Sequence, residues 1–325
     1  MQDATRLAAC VGCAALVAGC PAARSTTPGP AGGPGVTPER GLPVAVIAHR
    51  GASADAPENT LAAFRAAREQ QADWFELDCT LSADGAVVVI HDETLDRTTS
   101  AGGPVGARTA AELLRLDAGS WFAPAFAGEP LPSLAAALAL GNDATGVYVE
   151  LKRYRGDEAL EAELQALLAG GRALPDPALS AALLERIASS GTRNLELTRA
   201  VLSELRAREL PGRVVVQSFS PVICAAATVE APELRVELLA RVPVDDEPAW
   251  RAALRWVVAL DLAGLNLDAA GVTPERVAEL HALGRTVAVW TVDEPAELER
   301  VVAAGVDAVI TNRPGAVREW LAERR

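Results

Sequence analysis

Lysine is almost missing from this 325-residue chain. Of its 30 basic residues all but Lys152 are arginines. Histidine is nearly as scarce, present only as His49, His91 and His281. No Lys/Arg-rich tract occurs, and the formal net charge is −13 at pH 7. That balance argues against nucleic-acid binding and against polybasic docking on a membrane. A chain this acidic that handled an anionic ligand would need local cations or a metal ion to offset its own field. Cysteine is confined to five positions, and Cys10, Cys13 and Cys20 lie near the N-terminus. The other two, Cys79 and Cys224, are too few for a disulfide framework. Each reads as a small buried hydrophobe, with a single bridge between them as the alternative. No GxGxxG follows the first strand-like run, so the usual mark of a dinucleotide-binding open sheet is absent.

The first twenty residues, MQDATRLAACVGCAALVAGC, hold one arginine and a short apolar stretch. The stretch is shorter than the roughly 20 residues that span a bilayer, and it reads as a secretory signal over residues 1–19. Val17-Ala18-Gly19-Cys20 resembles the lipobox of bacterial lipoproteins, in which Cys20 would be lipidated and become the mature N-terminus. An ordinary cleaved signal is the alternative. Residues 20–43, rich in Pro, Gly, Ala and Ser/Thr, cannot bury a core and read as an extended tether. The expected location is therefore the bacterial cell envelope, outside the cytoplasmic membrane, with a lipid anchor.

From residue 44 onward, short β-branched runs alternate with Ala/Leu/Glu/Arg stretches of helical period. The runs are VAVIA (44–48), WFELDC (74–79), GVYVEL (146–151), RVVVQSF (213–219), LRVELLA (234–240), AGLNL (263–267), TVAVWTV (286–292) and DAVIT (307–311). Strand–helix alternation implies βαβ units and a parallel sheet. Helix starts at Thr60, at Thr273-Pro274 and at Glu294-Pro295, with Gly284 and Gly305 as C-terminal caps, agree with this pattern. Eight repeats predict an α/β (β/α)₈ TIM barrel over 44–325; a doubly wound sheet is the competitor. AVVVI (86–90) follows the turn Asp84-Gly85 and is expected to fold back antiparallel on the second strand. Residues 93–140 then form a long insertion, expected as a cap that faces the substrate.

Reactive residues in such a barrel belong at the carboxyl ends of strands. Glu76 and Asp78 are two apart on one strand and share a face; Glu150 and Lys152 repeat the arrangement on the next. Three inward carboxylates repel one another unless neutralised, and a hard divalent cation takes oxygen ligands of this kind. Pairing with arginines is the other reading, but by motif only Arg50 and Lys152 are close. His49 and His91 each follow an apolar run at the same end and suit general acid and general base roles. His281 sits inside a helix and reads as a bystander. The single lysine offers a compact point charge, suited to a narrow site that touches both a carboxylate and a phosphate oxygen.

HRGAS…PENTLAAF, FELDCTLSADGAVVVIHDETLDRTT, PSLAAAL, VELK, QSF, VAVWTVD and GVDAVITNRP together resemble the glycerophosphodiester phosphodiesterase family, over residues 46–315. The resemblance implies a TIM barrel with a small insertion after the second strand and its hairpin, and one divalent cation, Ca²⁺ or Mg²⁺. The implied reaction is hydrolysis of glycerophosphodiesters to sn-glycerol 3-phosphate and an alcohol. By motif, Glu76, Asp78 and Glu150 are then metal ligands, and His49 and His91 the acid/base pair. Arg50 and Lys152 become phosphate contacts, and Gln217 and Trp290 line the glycerol end. The mechanism implied has a glycerol hydroxyl attack phosphorus, followed by opening of a cyclic phosphate by water. Three departures stand out. Gln71 replaces the family's usual Gly, Asp293 its usual Asn, and Asn312 its usual Asp; they are expected to alter the substrate rim. Two rival functions remain. One is a phospholipase D-type enzyme on lysophospholipids or sphingolipids, with Trp121, Phe122 and Phe126 lining an apolar groove. The other is a catalytically silent, lipid-anchored binding protein.

Overall fold

In a computed structural model of the chain, residues 44–169, 174–208 and 213–324 are described. The signal (1–19), the tether (20–43) and Cys20 lie outside the described residues. The strands are β1 Ala45–Ala48, β2 Trp74–Leu81, β3 Val87–Val89, β4 Gly146–Leu151, β5 Val214–Ser218, β6 Arg235–Ala240, β7 Gly264–Asp268, β8 Thr286–Trp290 and β9 Ala308–Thr311. Their order is β1-β9-β8-β7-β6-β5-β4-β2-β3, and a β1–β2 pairing closes the ring. All strands of the ring run parallel; β3 alone is antiparallel, pairing Cys79 with Val89 and Leu81 with Val87. This is the expected eight-stranded barrel with its hairpin extension. The β1–β2 seam is short, with only Ile47↔Trp74 and Ala48↔Phe75 in register.

The helices are α1 Leu61–Glu69, α2 Ala110–Leu113, α3 Leu134–Leu138, α4 Glu158–Leu168, α5 Pro177–Ser190, α6 Arg193–Arg206, α7 Pro221–Glu230, α8 Glu247–Ala259, α9 Pro274–Ala282, α10 Pro295–Ala303 and α11 Pro314–Ala322. Helices α7 to α11 each carry proline in the first two positions, where its missing N–H costs nothing and its fixed φ suits the first turn. Gly284 and Gly305 follow α9 and α10 with positive φ. The crossover from β4 to β5 holds three helices, α4 to α6, where the barrel repeat needs one.

Strands in a parallel ring are covered on both faces, which is why β4 is buried at all six positions. Ile47, Tyr148, Val215, Ala288 and Ile310 fill the barrel interior, while the larger cluster lies between strands and helices. In the insertion, Leu95, Val105, Leu113 and Leu131 pack with Val88 and Ile90 in a cluster of their own. Leu134 and Leu138 of α3 join the main core instead. Cys79 and Cys224 are both free and buried. No helix among the described residues is long and apolar enough to cross a membrane.

Candidate active site

The parallel register aligns Asp78 with Glu150, and Glu150 with Gln217. Residues paired in this way point to the same side of the sheet, so these side chains share one level of the barrel mouth. Glu76 stands one turn of the pleat below. Oxygens of Glu76, Asp78 and Glu150 fall within 4.8 Å of one another, and all three residues are buried. Such a group is costly unless cations answer it. Lys152 does so in part: its Nζ is 2.6 Å from Glu150 Oε1 and 3.4 Å from Asp78 Oδ1. Arg50 contributes its backbone N–H to Glu76 Oε2 at 2.8 Å, and its Nε lies 3.3 Å from Asp78 Oδ2 without hydrogen-bond alignment. Glu76 Oε1 is buried with no hydrogen-bond partner. An orphaned carboxylate oxygen among other carboxylate oxygens is the donor set of a hard divalent cation.

The titration directions agree. Burial, then Asp78 and Glu150, push Glu76 well above the usual carboxylate range. Burial and Asp78 raise Glu150 to about 7. Burial would raise Asp78 too, but Lys152 and Arg50 outweigh it and hold Asp78 low. Lys152 is raised by Asp78 and Glu150 against its own desolvation, and is an ammonium at any physiological pH. Asp78 is thus the member held ionised, while Glu76 and Glu150 take up protons more readily than free carboxylates. A divalent cation would displace those protons.

The β1 end delivers His49 and Arg50. Arg50 has φ 58° and Gly51 φ 83°, so the chain turns sharply there. A Cβ on Gly51 would sit 2.6 Å from Ala63 at the start of α1, which leaves room for glycine alone. His49 Nδ1 is 2.8 Å from Asn312 Oδ1. The amide orientation is fixed, because Asn312 Nδ2 donates to Asp293 Oδ2 at 2.5 Å and Asn312 N to Asp293 Oδ1 at 2.8 Å. Oδ1 can only accept, so His49 Nδ1 carries the hydrogen and Nε2 the lone pair. Burial and then Arg50 lower His49 to about 4. The Asp293/Asn312 exchange thus lies behind His49 and sets its tautomer. The expectation that it alters the substrate rim is corrected on this point.

His91 follows β3 and has a different partner: its Nδ1 is 2.6 Å from Asp92 Oδ1. Asp92 is held by Arg97 Nε at 2.7 Å, and Arg97 also reaches Glu58, which in turn takes Arg50 Nη1 at 2.8 Å. Burial lowers His91, while Asp78 and Asp92 oppose the shift. Neither imidazole has an Nε2 partner among the described residues.

Gln217 Oε1 accepts from Asn266 at 2.8 Å, and that amide also donates to Glu237 at 2.9 Å. Trp290 ends β8, with its Nε1 on Asn266 O at 3.1 Å and its ring edge-on to Phe219. The nine barrel residues singled out in the sequence therefore converge on one mouth. Asn59 was missed: PENT reads as a helix start, and Thr60 does cap α1. Asn59 nonetheless donates to Asp78 Oδ2 at 2.7 Å and accepts from Asp78 N at 3.1 Å. Glu58, Asp92, Arg97 and Asn266 went unread as well, since side-chain contacts made only once strands and loops come together leave no periodic trace. His281, on α9, is bonded to Asp307 at 2.9 Å, away from this site. Trp121, Phe122 and Phe126 pack edge-to-face on one another, and none lines the cavity beside His91.

The glycerophosphoryl diester phosphodiesterase family pattern matches residues 49–172 and 185–316. The chain belongs to that family. A glycerophosphodiester phosphodiesterase of Caldanaerobacter subterraneus subsp. tengcongensis is 35% identical over 83% of this chain and 94% of its own. One from Bacillus subtilis is 29% identical, over 86% of each chain. Among solved structures, the Oleispira antarctica phosphodiesterase in complex with the product sn-glycerol-3-phosphate superposes with a TM-score of 0.67 at 26% identity, covering 86% of this chain and 97% of that one. The glycerophosphodiester phosphodiesterase of Agrobacterium tumefaciens gives 0.62 at 28%, covering 85% and 99%. This phosphodiesterase accordingly shares the (β/α)₈ architecture of its relatives.

Proposed function

We propose that this phosphodiesterase hydrolyses glycerophosphodiesters to sn-glycerol 3-phosphate and an alcohol, using one divalent cation and the two imidazoles. The observation that carries the reading is the buried carboxylate trio with an unpartnered Glu76 oxygen, beside two histidines whose Nδ1 atoms are both engaged. Relatives named for this activity and a neighbour bound to sn-glycerol-3-phosphate support it.

Glu76, Asp78 and Glu150 would hold Ca²⁺ or Mg²⁺, which supplies Lewis-acid polarisation of the phosphate and the adjacent glycerol hydroxyl. Lys152 and Arg50 offset phosphate charge, and Gln217 and Trp290 border the glycerol half. His49, neutral with its lone pair on Nε2, takes the proton of the glycerol 2-hydroxyl, whose oxygen attacks phosphorus. His91, whose imidazolium is supported by Asp92, gives a proton to the departing alcohol. In the second half His91 takes a proton from water, the new hydroxide opens the cyclic phosphate, and His49 returns its proton to the glycerol oxygen. Protons balance over the two halves.

The test is release of sn-glycerol 3-phosphate from a panel of glycerophosphodiesters, with and without chelation. Product is expected with Ca²⁺ or Mg²⁺, is lost on EDTA treatment, and returns on metal add-back. Release from no diester under any metal would leave the binding-protein reading in its place.

We also propose that the protein is exported and anchored through a lipid on Cys20, on the strength of the apolar segment and the small residues before that cysteine. Cys20→Ala should move the protein from the membrane fraction to the soluble fraction of cells; an unchanged distribution would refute the anchor.

A further inference from the structure

Beyond His91 the mouth opens into a cavity of about 440 Å³, within the range of small-molecule pockets. His91 and Lys152 stand in its wall, but His49, Glu76, Gln217 and Trp290 do not. The cavity therefore adjoins the site on one flank, the flank of the proton donor. The lining includes three exposed arginines, Arg153, Arg155 and Arg193. The acids of the lining are Asp92 and Glu93, and Asp92 is already engaged by His91 and Arg97. Nearby, Glu161 faces Arg153, and Glu196 lies 3.6 Å from Arg193. Arg155 has no side-chain hydrogen bond or ion pair among the described residues. Asp157, Glu158 and Glu161 border Arg153 and Arg155 on their other side, but the cavity wall itself is richer in cations than in carboxylates, in a chain of net charge −13.

A second observation concerns aromatic surface. Tyr154 is the one aromatic ring in the wall, and the Arg193 guanidinium already covers its face at 4.5 Å. A quaternary ammonium is recognised by open aromatic faces. Here the Tyr154 face is shared with Arg193, and the surrounding guanidinium groups would repel such a cation.

We propose that this cavity seats the leaving alcohol and selects alcohols that carry negative charge, such as a phosphorylated polyol, over cationic alcohols such as choline. The inference rests on the assignment of His91 as the proton donor. That donor must touch the leaving oxygen, so the rest of the alcohol lies in the cavity that adjoins His91, whose wall carries Lys152, Arg153, Arg155 and Arg193 against Asp92 and Glu93. Two or three exposed charge contacts together amount to about a tenfold preference in kcat/KM.

The experiment compares kcat/KM for glycerophosphoglycerol phosphate, glycerophosphoserine and glycerophosphocholine with the metal-supplemented full chain. About a tenfold advantage of the phosphomonoester-bearing diester over glycerophosphocholine is expected, expressed mainly in KM and shrinking as salt is added. Arg155→Glu, and Arg155→Glu combined with Arg193→Glu, should abolish or invert the ratio. Arg155→Glu breaks no side-chain bond, whereas Arg193→Glu gives up its contacts with Tyr154 and Glu196, so the single variant decides should the double one fold poorly. Equal or better turnover of glycerophosphocholine overturns the proposal while leaving the phosphodiesterase reading intact, as does an unchanged ratio in both variants. Hydrolysis of none of the three overturns both.

Discussion

Glu76→Ala should lose metal-dependent turnover by at least about 10², because it removes a carboxylate from a three-carboxylate site. The same variant should lose the rise in melting temperature that Ca²⁺ or Mg²⁺ gives the wild type. Ligand that binds only the folded state at a hundredfold excess over its Kd stabilises by about 2.7 kcal/mol. Glu76 Oε2 also holds the Arg50 backbone N–H, so alanine will loosen the turn after β1 as well. Glu76→Gln separates the two effects, since its carbonyl can keep that bond while the charge is gone. It should melt near the metal-free wild type yet show neither thermal response nor turnover. Wild-type activity, or a wild-type metal shift, in either variant would show that the carboxylates do not hold the ion.

The histidines should separate by leaving group. His49→Ala and His91→Ala are each expected to lower kcat on glycerophosphodiesters of poor leaving alcohols by about 10²–10⁴, with the metal-induced thermal shift retained. With a p-nitrophenol ester of sn-glycerol 3-phosphate the departing group needs no proton. His91→Ala should then recover most of its loss in the first half alone, read as a burst of p-nitrophenolate before the cyclic phosphate opens, and His49→Ala none. The reverse pattern would exchange the two roles. The pH dependence of kcat/KM is a further check. A base must be neutral, so activity falls as pH drops through its pKa. For His49 that point is about 4. The double variant Asp293→Asn/Asn312→Asp places a carboxylate against Nδ1 while keeping one amide and one acid in the pair. Imidazolium is then favoured and the acid limb should move up by about one pH unit. A limb that stays in place would mean that Asn312 does not set the state of His49.

What could be read from the sequence was whatever repeats. Alternation along β2 and β4 placed Glu76, Asp78, Glu150 and Lys152 on one side, and the ends of apolar runs located His49 and His91. The hairpin was visible in Asp84-Gly85, and the register bears it out. Hidden were the groups that position those side chains. Asn59 grips Asp78 from a loop nineteen residues away, and Asn312 reaches His49 across 263 residues. Such pairs depend on tertiary closure and leave no local pattern. The pair at 293 and 312 was noticed as a departure, but only the hydrogen-bond geometry showed that Asn312 touches the imidazole of His49 and Asp293 stands behind it. The third and second helices of the β4–β5 crossover were likewise unforeseen, because helical period does not reveal how many helices a connection contains.

The short seam between β1 and β2 has a consequence for the whole molecule. Two register pairs are a weak rivet for a closed ring, and the joint is reinforced from inside by Arg50 N on Glu76 and by the two-way clasp of Asn59 and Asp78. The carboxylates proposed to hold the ion thus also stitch the first staves of the barrel together. One set of atoms serves both the proposed chemistry and the closure of the ring, so a substitution at Glu76 or Asp78 is felt in both.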